Sequence, residues 1–241
     1  MILLLAGTAE ARALAEALTA EGIATEASLA GVTRAARPLA VPVRTGGFGG
    51  AEGFADWLRA RGARGLVDAT HPFALRIGPR SAAVCRALGV PYLRLLRQPW
   101  AAGPGDDWRE VAGPEEVARI VPEGAAVFLA LGAQHLADWA CLAGRRVVAR
   151  QLDPPEGPAP FAGLERIAAP PGESVAEEVG FLQRKGIEWV VTRNSGGPAR
   201  AKLAAARELG LPVLMIPRPP PPVGVEVVAD VAGAMDWVRA L

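Results

Sequence analysis

The chain has 241 residues, of which 51% are hydrophobic, and this is enough apolar material for the cores of two domains. Its 26 basic and 25 acidic residues nearly balance, which excludes the strongly basic surface typical of nucleic-acid-binding proteins. The two cysteines, Cys85 and Cys141, lack the spacing of zinc sites or disulfide frameworks, so we expect a reducing compartment and no bound metal.

The first half of the chain alternates short apolar runs with helical patterns, which is typical of a parallel α/β sheet. Strands are predicted near residues 2–6, 23–29, 41–44, 65–69 and 91–95, and helices near 9–21, 51–61 and 76–88. The first strand is continuously apolar, as expected of a strand that is covered on both faces. Because this run is too short for a membrane span or a signal peptide, we expect a cytoplasmic protein without a membrane partner.

The second half shows the same alternation after a turn-rich break at residues 103–107. Strands are predicted near 108–111, 125–131, 145–151, 187–192 and 212–216, and helices near 114–120, 134–142, 173–185, 198–209 and 230–240. We therefore predict an α/β fold of two Rossmann-like parallel-sheet domains with a ligand cleft between them. Residues 1–102 form the predicted cofactor-side domain, and residues 103–241 the domain that completes the cofactor and substrate cleft.

Two strand ends in the first half carry candidate cofactor contacts, because ligands of open α/β sheets bind at the carboxyl ends of the strands. Gly7 and Thr8 follow the first strand, where a capped helix start explains them as well as a phosphate contact does. Arg34 and Arg37 follow the second strand, which has no acidic residue at its end. Arginine there suits the 2′-phosphate of NADP, and a solvated arginine is the equal alternative.

A glycine-rich segment, TGGFGG at 45–50, follows the third predicted strand and precedes a helix. Gly46, Gly47 and Gly49 let the backbone approach a ligand and take left-handed angles, and N–H groups at a helix N-terminus favour an anion. A loop that was only flexible would not need the bulky Phe48 at its centre. The pattern therefore favours a ligand-binding loop.

The segment DATHPFA at 68–74 ends the fourth predicted strand. Pro72 restricts His71 to an extended backbone, and histidine can donate or accept a proton near neutral pH. The structural alternative is that Asp68 or Thr70 caps the next helix while His71 bonds a loop carbonyl. Because three polar side chains converge at a predicted ligand edge, we favour a functional role for this segment.

The second half has one comparable segment, TRNSGG at 192–197, between a strand end and a helix start. The N–H groups of such a loop, with Asn194 and Ser195, suit carboxylates or phosphates. Lys202 is one of only two lysines in the chain, and its side chain is expected to lean back toward this helix mouth. An exposed lysine is the ordinary alternative.

Six segments together resemble the precorrin-6A reductase family of cobalamin biosynthesis. They are GTAEAR at 7–12, TGGFGG at 45–50, DATHPFA at 68–74, RQPW at 97–100, TRNSGG at 192–197 followed by Lys202, and LPVLMIPRP at 211–219. The resemblance covers almost the whole chain. It implies two Rossmann-like domains and an enzyme that uses NADPH to reduce one double bond of precorrin-6A, giving precorrin-6B, or that acts on the cobalt-containing equivalent.

The resemblance also suggests roles for individual residues. Cofactor contacts are predicted at Gly7, Thr8, Arg34, Gly46, Gly47, Phe48, Gly49, Thr70, Asn194, Ser195 and Gly196. Arg193 and Lys202 are expected to anchor substrate carboxylates, and Trp100 to offer a flat apolar surface, with a core position as its equal alternative. His71 or Asp68 is expected to supply or hold a proton, while the protein mainly orients the reactants.

Three positions depart from the family pattern, and other functions stay open. Basic residues are common where this chain has Val32 and Ala133, and Ala169 begins the segment that replaces a frequent Arg-Gly-Pro-Phe motif. The expected partner is a small tetrapyrrole, bound by a monomer or homodimer without nucleic acid. The alternatives are a cofactor-free tetrapyrrole-modifying enzyme of the uroporphyrinogen-III synthase type and a non-catalytic α/β ligand-binding protein. The glycine-rich and DATHPFA segments speak against the first.

Overall fold

A computed structural model describes residues 1–30, 38–132 and 135–241. The chain forms two compact units, one of Met1–Gln98 with Pro219–Leu241 and one of Pro99–Arg218. Each unit is built on one six-stranded sheet whose strand pairs are all parallel. The prediction of two parallel-sheet α/β domains is confirmed. Within the described residues, no helix is long and apolar enough to cross a membrane.

Among the described residues, the first unit has six strands and four helices, and all elements are numbered in the order of the whole chain. Its strands are β1 (Ile2–Leu5), β2 (Thr25–Leu29), β3 (Val43–Thr45), β4 (Gly65–Asp68), β5 (Tyr92–Leu95) and β12 (Glu226–Val228). Its helices are α1 (Ala9–Ala20), α2 (Gly50–Ala60), α3 (Ile77–Leu88) and α7 (Val231–Arg239). The strand order is β12-β5-β4-β1-β2-β3.

The second unit repeats this plan with its own elements. Its strands are β6 (Trp108–Glu110), β7 (Ala126–Ala130), β8 (Arg146–Gln151), β9 (Leu164–Ala168), β10 (Trp189–Arg193) and β11 (Val213–Ile216). Its helices are α4 (Pro114–Ile120), a 3₁₀ helix (Leu136–Leu142), α5 (Val175–Arg184) and α6 (Ala201–Glu208). The strand order is β6-β11-β10-β7-β8-β9.

The apolar strands are covered on both faces, as their sequences predict. In β1, Ile2 and Leu4 pack into one core cluster with residues of α1 and α7, while Leu3 and Leu5 pack into another with Phe54 of α2. Side chains alternate between the faces of a strand, so a continuous apolar run supplies both clusters. This burial holds each sheet between two layers of helices.

In the described part of each sheet, the next strands along the chain lie on one side of a central strand and later strands lie on its other side. The strand order therefore reverses at that central strand. In the first unit, β1 pairs with β2 on one side and with β4 on the other. In the second unit, β7 pairs with β8 on one side and with β10 on the other. Ligands of such sheets bind at this switch point, outside the carboxyl ends of the strands. The segments that follow β1, β4, β7 and β10 are therefore the first places to look for a site.

The structure differs from the predicted division of the chain at its C-terminal end. Residues 219–241 were assigned to the second domain, but β12 pairs with β5 and α7 buries Ala234, Met235 and Val238 in the core of the first unit. The strand β12 was not predicted, because three residues with a leading Glu226 carry no strand period of their own. Its partner lies about 130 residues earlier, so the pairing is invisible to local pattern. The edge strand β9 was missed for the same kind of reason, since two of the five residues in its sequence LERIA are charged.

Candidate functional site

The ends of β1 and β4 bring four of the predicted site residues together. The Thr8 hydroxyl accepts a hydrogen bond from the Ala11 N–H (3.2 Å), which caps α1, and donates one to the Ala69 carbonyl (2.8 Å). A Cβ placed on Gly7 would lie 3.9 Å from both the His71 nitrogen and the Thr70 Cα. The two strand ends are thus in direct contact, and the hydroxyl of Thr8 joins them.

Asp68 lies at the centre of a buried polar network. Its carboxylate is completely buried and accepts hydrogen bonds from the Thr70 N–H (3.0 Å) and hydroxyl (2.7 Å), the Arg94 guanidinium (2.5 Å) and the Tyr92 hydroxyl (2.7 Å). A Cβ on Gly78 would approach the same carboxylate to 3.1 Å, so α3 packs directly over it. Both carboxylate oxygens are engaged inside the protein. These contacts favour a positioning role for Asp68 over the predicted catalytic one.

Arg94 and Tyr92 are the members of this network that the sequence analysis missed. Arg94 also donates to the Asp68 carbonyl (3.0 Å) and to the Thr70 hydroxyl and carbonyl (3.1 Å each). Burial, followed by the charge of Asp68, raises the pKa of Tyr92, so its hydroxyl remains a donor. The sequence does contain a signal for this network, because Arg94 interrupts the apolar run YLRLL. An arginine in such a buried strand needs a charged partner nearby.

His71 differs from Asp68 in that it is exposed. Its Nδ1 accepts a hydrogen bond from the Phe73 N–H (3.2 Å), and its carbonyl accepts one from the Ala74 N–H (2.8 Å). A ring nitrogen that accepts carries no proton, so the neutral imidazole holds its proton on Nε2. Local backbone contacts therefore orient the ring and define its tautomer.

The glycine-rich loop is held by Arg44, which the sequence analysis did not select. Its guanidinium donates to the carbonyls of Gly46 (3.0 Å) and Gly47 (2.8 Å) and to the Ser28 hydroxyl (2.9 Å), and lies 3.9 Å from the centre of the Phe48 ring. The loop is therefore shaped by its own strand. It is not a merely flexible connection.

Phe48 faces α2, and not the open side of the loop. Its ring lies 4.5 Å from the ring of Phe54 and 5.5 Å from that of Trp57, centre to centre. A Cβ on Gly53 would meet the Phe48 carbonyl at 2.1 Å, so only glycine permits this approach. Phe48 is an anchor for the loop, and this position disfavours the cofactor contact predicted for its side chain.

Only part of the predicted glycine conformation is observed. Gly46 and Gly49 have φ angles of 101° and 75°, in the left-handed region, whereas Gly47 does not. The prediction of a left-handed angle is wrong for Gly47. Gly49 directly precedes α2, and no side chain caps the N-terminus of that helix. The first N–H groups of α2 are therefore presented by backbone alone, which suits an anionic ligand.

In the second unit, Asn194 and Trp100 form a latch. The Asn194 side chain accepts a hydrogen bond from the Trp100 N–H (2.8 Å) and donates one to the Trp100 carbonyl (2.9 Å), while the indole N–H donates to the Gly197 carbonyl (2.9 Å). Trp100 is buried in the core cluster of this unit. Trp100 therefore occupies a core position, which was the alternative to a ligand surface. The Asn194 amide is engaged in hydrogen bonds to the backbone of Trp100.

The remaining residues of this loop lie at the end of β10. Arg193 is half-buried, and burial lowers its pKa while the charge of Asp138 opposes the shift; arginine nevertheless stays charged. Gly196 has a φ of 64°, and the Ser195 N–H donates to the Arg193 carbonyl (2.8 Å). The helix α6 begins at Ala201, three residues later than predicted, because residues 198–200 form a bend followed by a turn.

Lys202 lies in the first turn of α6 and lines a pocket with residues that were not predicted, chiefly Arg150 and Glu178. Arg34, Arg37, Val32 and Ala133 lie outside the described residues. Within the described part of the chain, no group of three or more His, Cys, Asp or Glu side chains could hold a metal ion.

Comparison with known proteins gives one consistent result. The family model of the precorrin-6x reductases CbiJ/CobK matches residues 1–239. A precorrin-6A reductase of Rhodococcus erythropolis is 43% identical over 243 residues, which cover 100% of this chain and 98% of the relative. A cobalt-precorrin-6A reductase of Priestia megaterium is 31% identical and covers 91% of each chain. The solved structure of CobK precorrin-6A reductase matches with a TM-score of 0.92 at 39% identity, over 99% of this chain and 96% of that one.

Proposed function

The chain belongs to the precorrin-6x reductase CbiJ/CobK family, and from this premise we propose that it reduces one double bond of precorrin-6A with NADPH, giving precorrin-6B. It is an oxidoreductase of cobalamin biosynthesis. The family match over nearly the whole chain carries this assignment, and the alternatives of a cofactor-free enzyme and a non-catalytic binding protein are set aside. We propose the metal-free macrocycle because the relative named for it is 43% identical, against 31% for the relative named for the cobalt form. A cytoplasmic location and a monomeric or homodimeric state stay predictions.

The described residues of the first unit fit a nicotinamide dinucleotide. NADPH, when bound, supplies the hydride. Gly7 at the switch point and the loop of Gly46, Gly47 and Gly49 would hold it through backbone groups, because α2 has no side-chain cap and the strand ends approach each other closely. Thr70 has its hydroxyl in the network of Asp68, so it would contribute through its position beside Gly7.

The protein's own residues would then orient the macrocycle and manage one proton. The exposed imidazole of His71, with its proton on Nε2, is placed at the switch point to donate a hydrogen bond or a proton to the substrate. Asp68 would act indirectly, by holding the Thr70–His71 turn. Arg193 and Lys202 remain the proposed anchors for substrate carboxylates.

The reaction itself is tested by incubating the protein with precorrin-6A and NADPH. We expect NADPH oxidation that depends on the macrocycle, and a product heavier by two hydrogens. Oxidation without a change in the macrocycle's mass would contradict the proposal.

NADPH is expected to bind more tightly than NADH, because Arg34 and Arg37 follow β2 and no acidic residue ends that strand. Replacing Arg34 by alanine should weaken NADPH binding about 10- to 100-fold, the usual range for a charge-assisted hydrogen bond, and leave NADH binding unchanged. Fluorescence titration gives both Kd values, and Arg61→Ala, at an exposed arginine of the same unit, is the control. Equal Kd values for the two cofactors in the parent protein would contradict this prediction.

Replacing Gly49 by valine is expected to abolish NADPH binding while the protein remains folded. A β-branched residue at a φ of 75° costs about 1–2 kcal/mol, so the loop should leave its left-handed conformation and the start of α2 should shift. Gly62→Val is the matched control for backbone strain, because Gly62 lies in the same unit with a φ of 56° and open space around its Cβ position, and it is not part of the proposed site. Fluorescence titration and thermal unfolding give the answer; normal binding by Gly49→Val would remove the loop from the site.

A further inference from the structure

A second polar site lies in the second unit, around Lys202. It is a pocket of about 190 Å³ beyond the ends of β7 and β8, beside α5 and the first turn of α6. Its polar lining is provided by Arg150, Gln151, Gly172, Glu178, Ala199 and Lys202. These residues come from four separate segments of the chain, so no sequence motif predicts the pocket.

One wall of the pocket is a buried ion pair. The Arg150 guanidinium lies 2.7 Å from Glu178 Oε1, and the two side chains are 9% and 1% exposed. The same Oε1 accepts a hydrogen bond from the Gly172 N–H (2.5 Å), and the guanidinium lies 5.1 Å and 4.8 Å from the ring centres of Phe128 and Phe181. Arg150 is therefore held in place and its charge is already matched by Glu178.

Two polar groups of the pocket can form further interactions, one as a hydrogen-bond acceptor and the other as an ion-pair partner. Glu178 Oε2 is buried and has no hydrogen-bond partner among the described residues. Lys202 donates to the Ala199 carbonyl (2.7 Å) and lies 4.7 Å from the Trp100 ring, and among the described residues no carboxylate is within ion-pair distance of its ammonium. A buried acceptor without a donor, and a partly buried cation without a carboxylate to balance its charge, are costly, so both are expected to meet a polar occupant.

Charge and size define that occupant. Arg150, Lys202 and Glu178 together leave the pocket with an excess of one positive charge. The carboxylate of a ligand neutralises this excess. A phosphate dianion would instead leave a net negative charge beside Glu178. The pocket is too small to enclose a macrocycle or a dinucleotide, whereas an acetate or propionate arm and ordered water fit in it. One of those waters can donate to Glu178 Oε2 and to the arm.

We infer that this pocket binds one short carboxylate arm of the tetrapyrrole substrate, with the Lys202 ammonium as its ion-pair partner and the Arg150–Glu178 pair as a fixed wall. The inference rests on the proposed function for the identity of the arm, and on the pocket alone for its chemistry. The uncapped N-terminus of α6, at which Lys202 lies, adds to the attraction for an anion.

The site has a defined pH dependence. Burial lowers the pKa of Lys202 to about 8, the charge of Arg150 acts in the same direction, and that of Glu178 opposes it. Below this pKa the ammonium is charged and the carboxylate is bound at full strength; above it, binding weakens as the proton is lost. A bound carboxylate favours the charged form, so by linkage it raises the pKa of Lys202.

A direct test uses the parent protein labelled with [ε-¹³C]lysine. The chain has only two lysines, and Lys185, which pairs with Glu165 and is partly exposed, serves as the internal control. We expect sodium propionate to raise the pKa of Lys202 in an NMR pH titration and to leave that of Lys185 unchanged. Equal shifts of the two lysines, or no shift, would overturn the inference. A shift produced by inorganic phosphate at lower concentration than by propionate would overturn the carboxylate assignment.

A kinetic test separates this site from the proposed function. Below pH 8, Lys202→Met is expected to raise the KM for precorrin-6A about 10-fold or more, with a smaller change in kcat and an unchanged Kd for NADPH. Lys202→Arg should restore part of the affinity, and Lys185→Met should behave as the parent. An unchanged KM overturns the inference. If the parent protein fails to reduce precorrin-6A, the proposed function fails, and the propionate titration still decides whether the pocket binds a carboxylate.

Discussion

Replacing Asp68 by alanine is expected to lower the free energy of unfolding of the first unit by about 3–5 kcal/mol, the usual cost of removing one partner of a buried ion pair. The side chains of Asp68 and Arg94 are 0% and 7% exposed, and the variant would leave the Arg94 charge buried without its carboxylate. The Tyr92 hydroxyl and the Thr70 N–H would lose their acceptor at the same time. The cost therefore comes from desolvated groups that remain, more than from the contact that is lost.

The chain forms two compact units, so the measurement must distinguish the stability of one from that of the other. Urea unfolding followed by hydrogen exchange should show increased exchange in peptides of β1, β4 and β5, while peptides of β7 and β10 stay as in the parent. Asp56→Ala is the control, because Asp56 is exposed and its pair with Arg59 is worth at most about 1 kcal/mol. The double variant Asp68→Leu with Arg94→Met should recover much of the loss. A stable Asp68→Ala protein with little activity would instead support the catalytic role predicted from sequence.

Replacing His71 by alanine is expected to lower turnover about 10²- to 10³-fold, with little change in melting temperature. Loss of one oriented hydrogen bond or charge contact in a transition state typically costs about 2–4 kcal/mol. The imidazole is exposed, and the Phe73 N–H that donates to it belongs to a residue that is only partly buried. The effect should therefore appear in kcat and not in stability.

The other histidine provides the control for this prediction. His135 is exposed in the second unit at a φ of 63°, so asparagine, which tolerates left-handed angles, removes the imidazole without backbone strain. His135→Asn should have parental turnover. A His71→Ala protein that is destabilised but retains turnover per folded molecule within a few-fold of the parent would show a structural role, and full activity with full stability would defeat both roles.

Local pattern was sufficient for most of the fold. The run Ile2–Leu5 is apolar at every position, and it forms a strand buried on both faces, because covering both faces of a parallel strand requires such a run. The same alternation of strand and helix located the ends of β1 and β4, where Gly7 and Thr8 lie next to the segment of Thr70 and His71. The positions of strands and helices depend on residues a few places apart in the sequence. The periodicity of apolar residues reflects this local dependence directly.

The roles of several side chains were decided only by the tertiary structure. Asp68 looks catalytic beside His71 in the sequence, but Tyr92 and Arg94, more than twenty residues later, enclose it. Trp100 looked equally suited to a ligand surface or a core, and Asn194, 94 residues away, fastens it in the core. The position of β12 in the first sheet, and the pocket around Lys202, likewise depend on segments far apart in the chain. A side chain's function depends on whether its polar atoms are already bonded within the protein, and those bonds come from packing between distant segments, which residue order along one strand or helix does not encode.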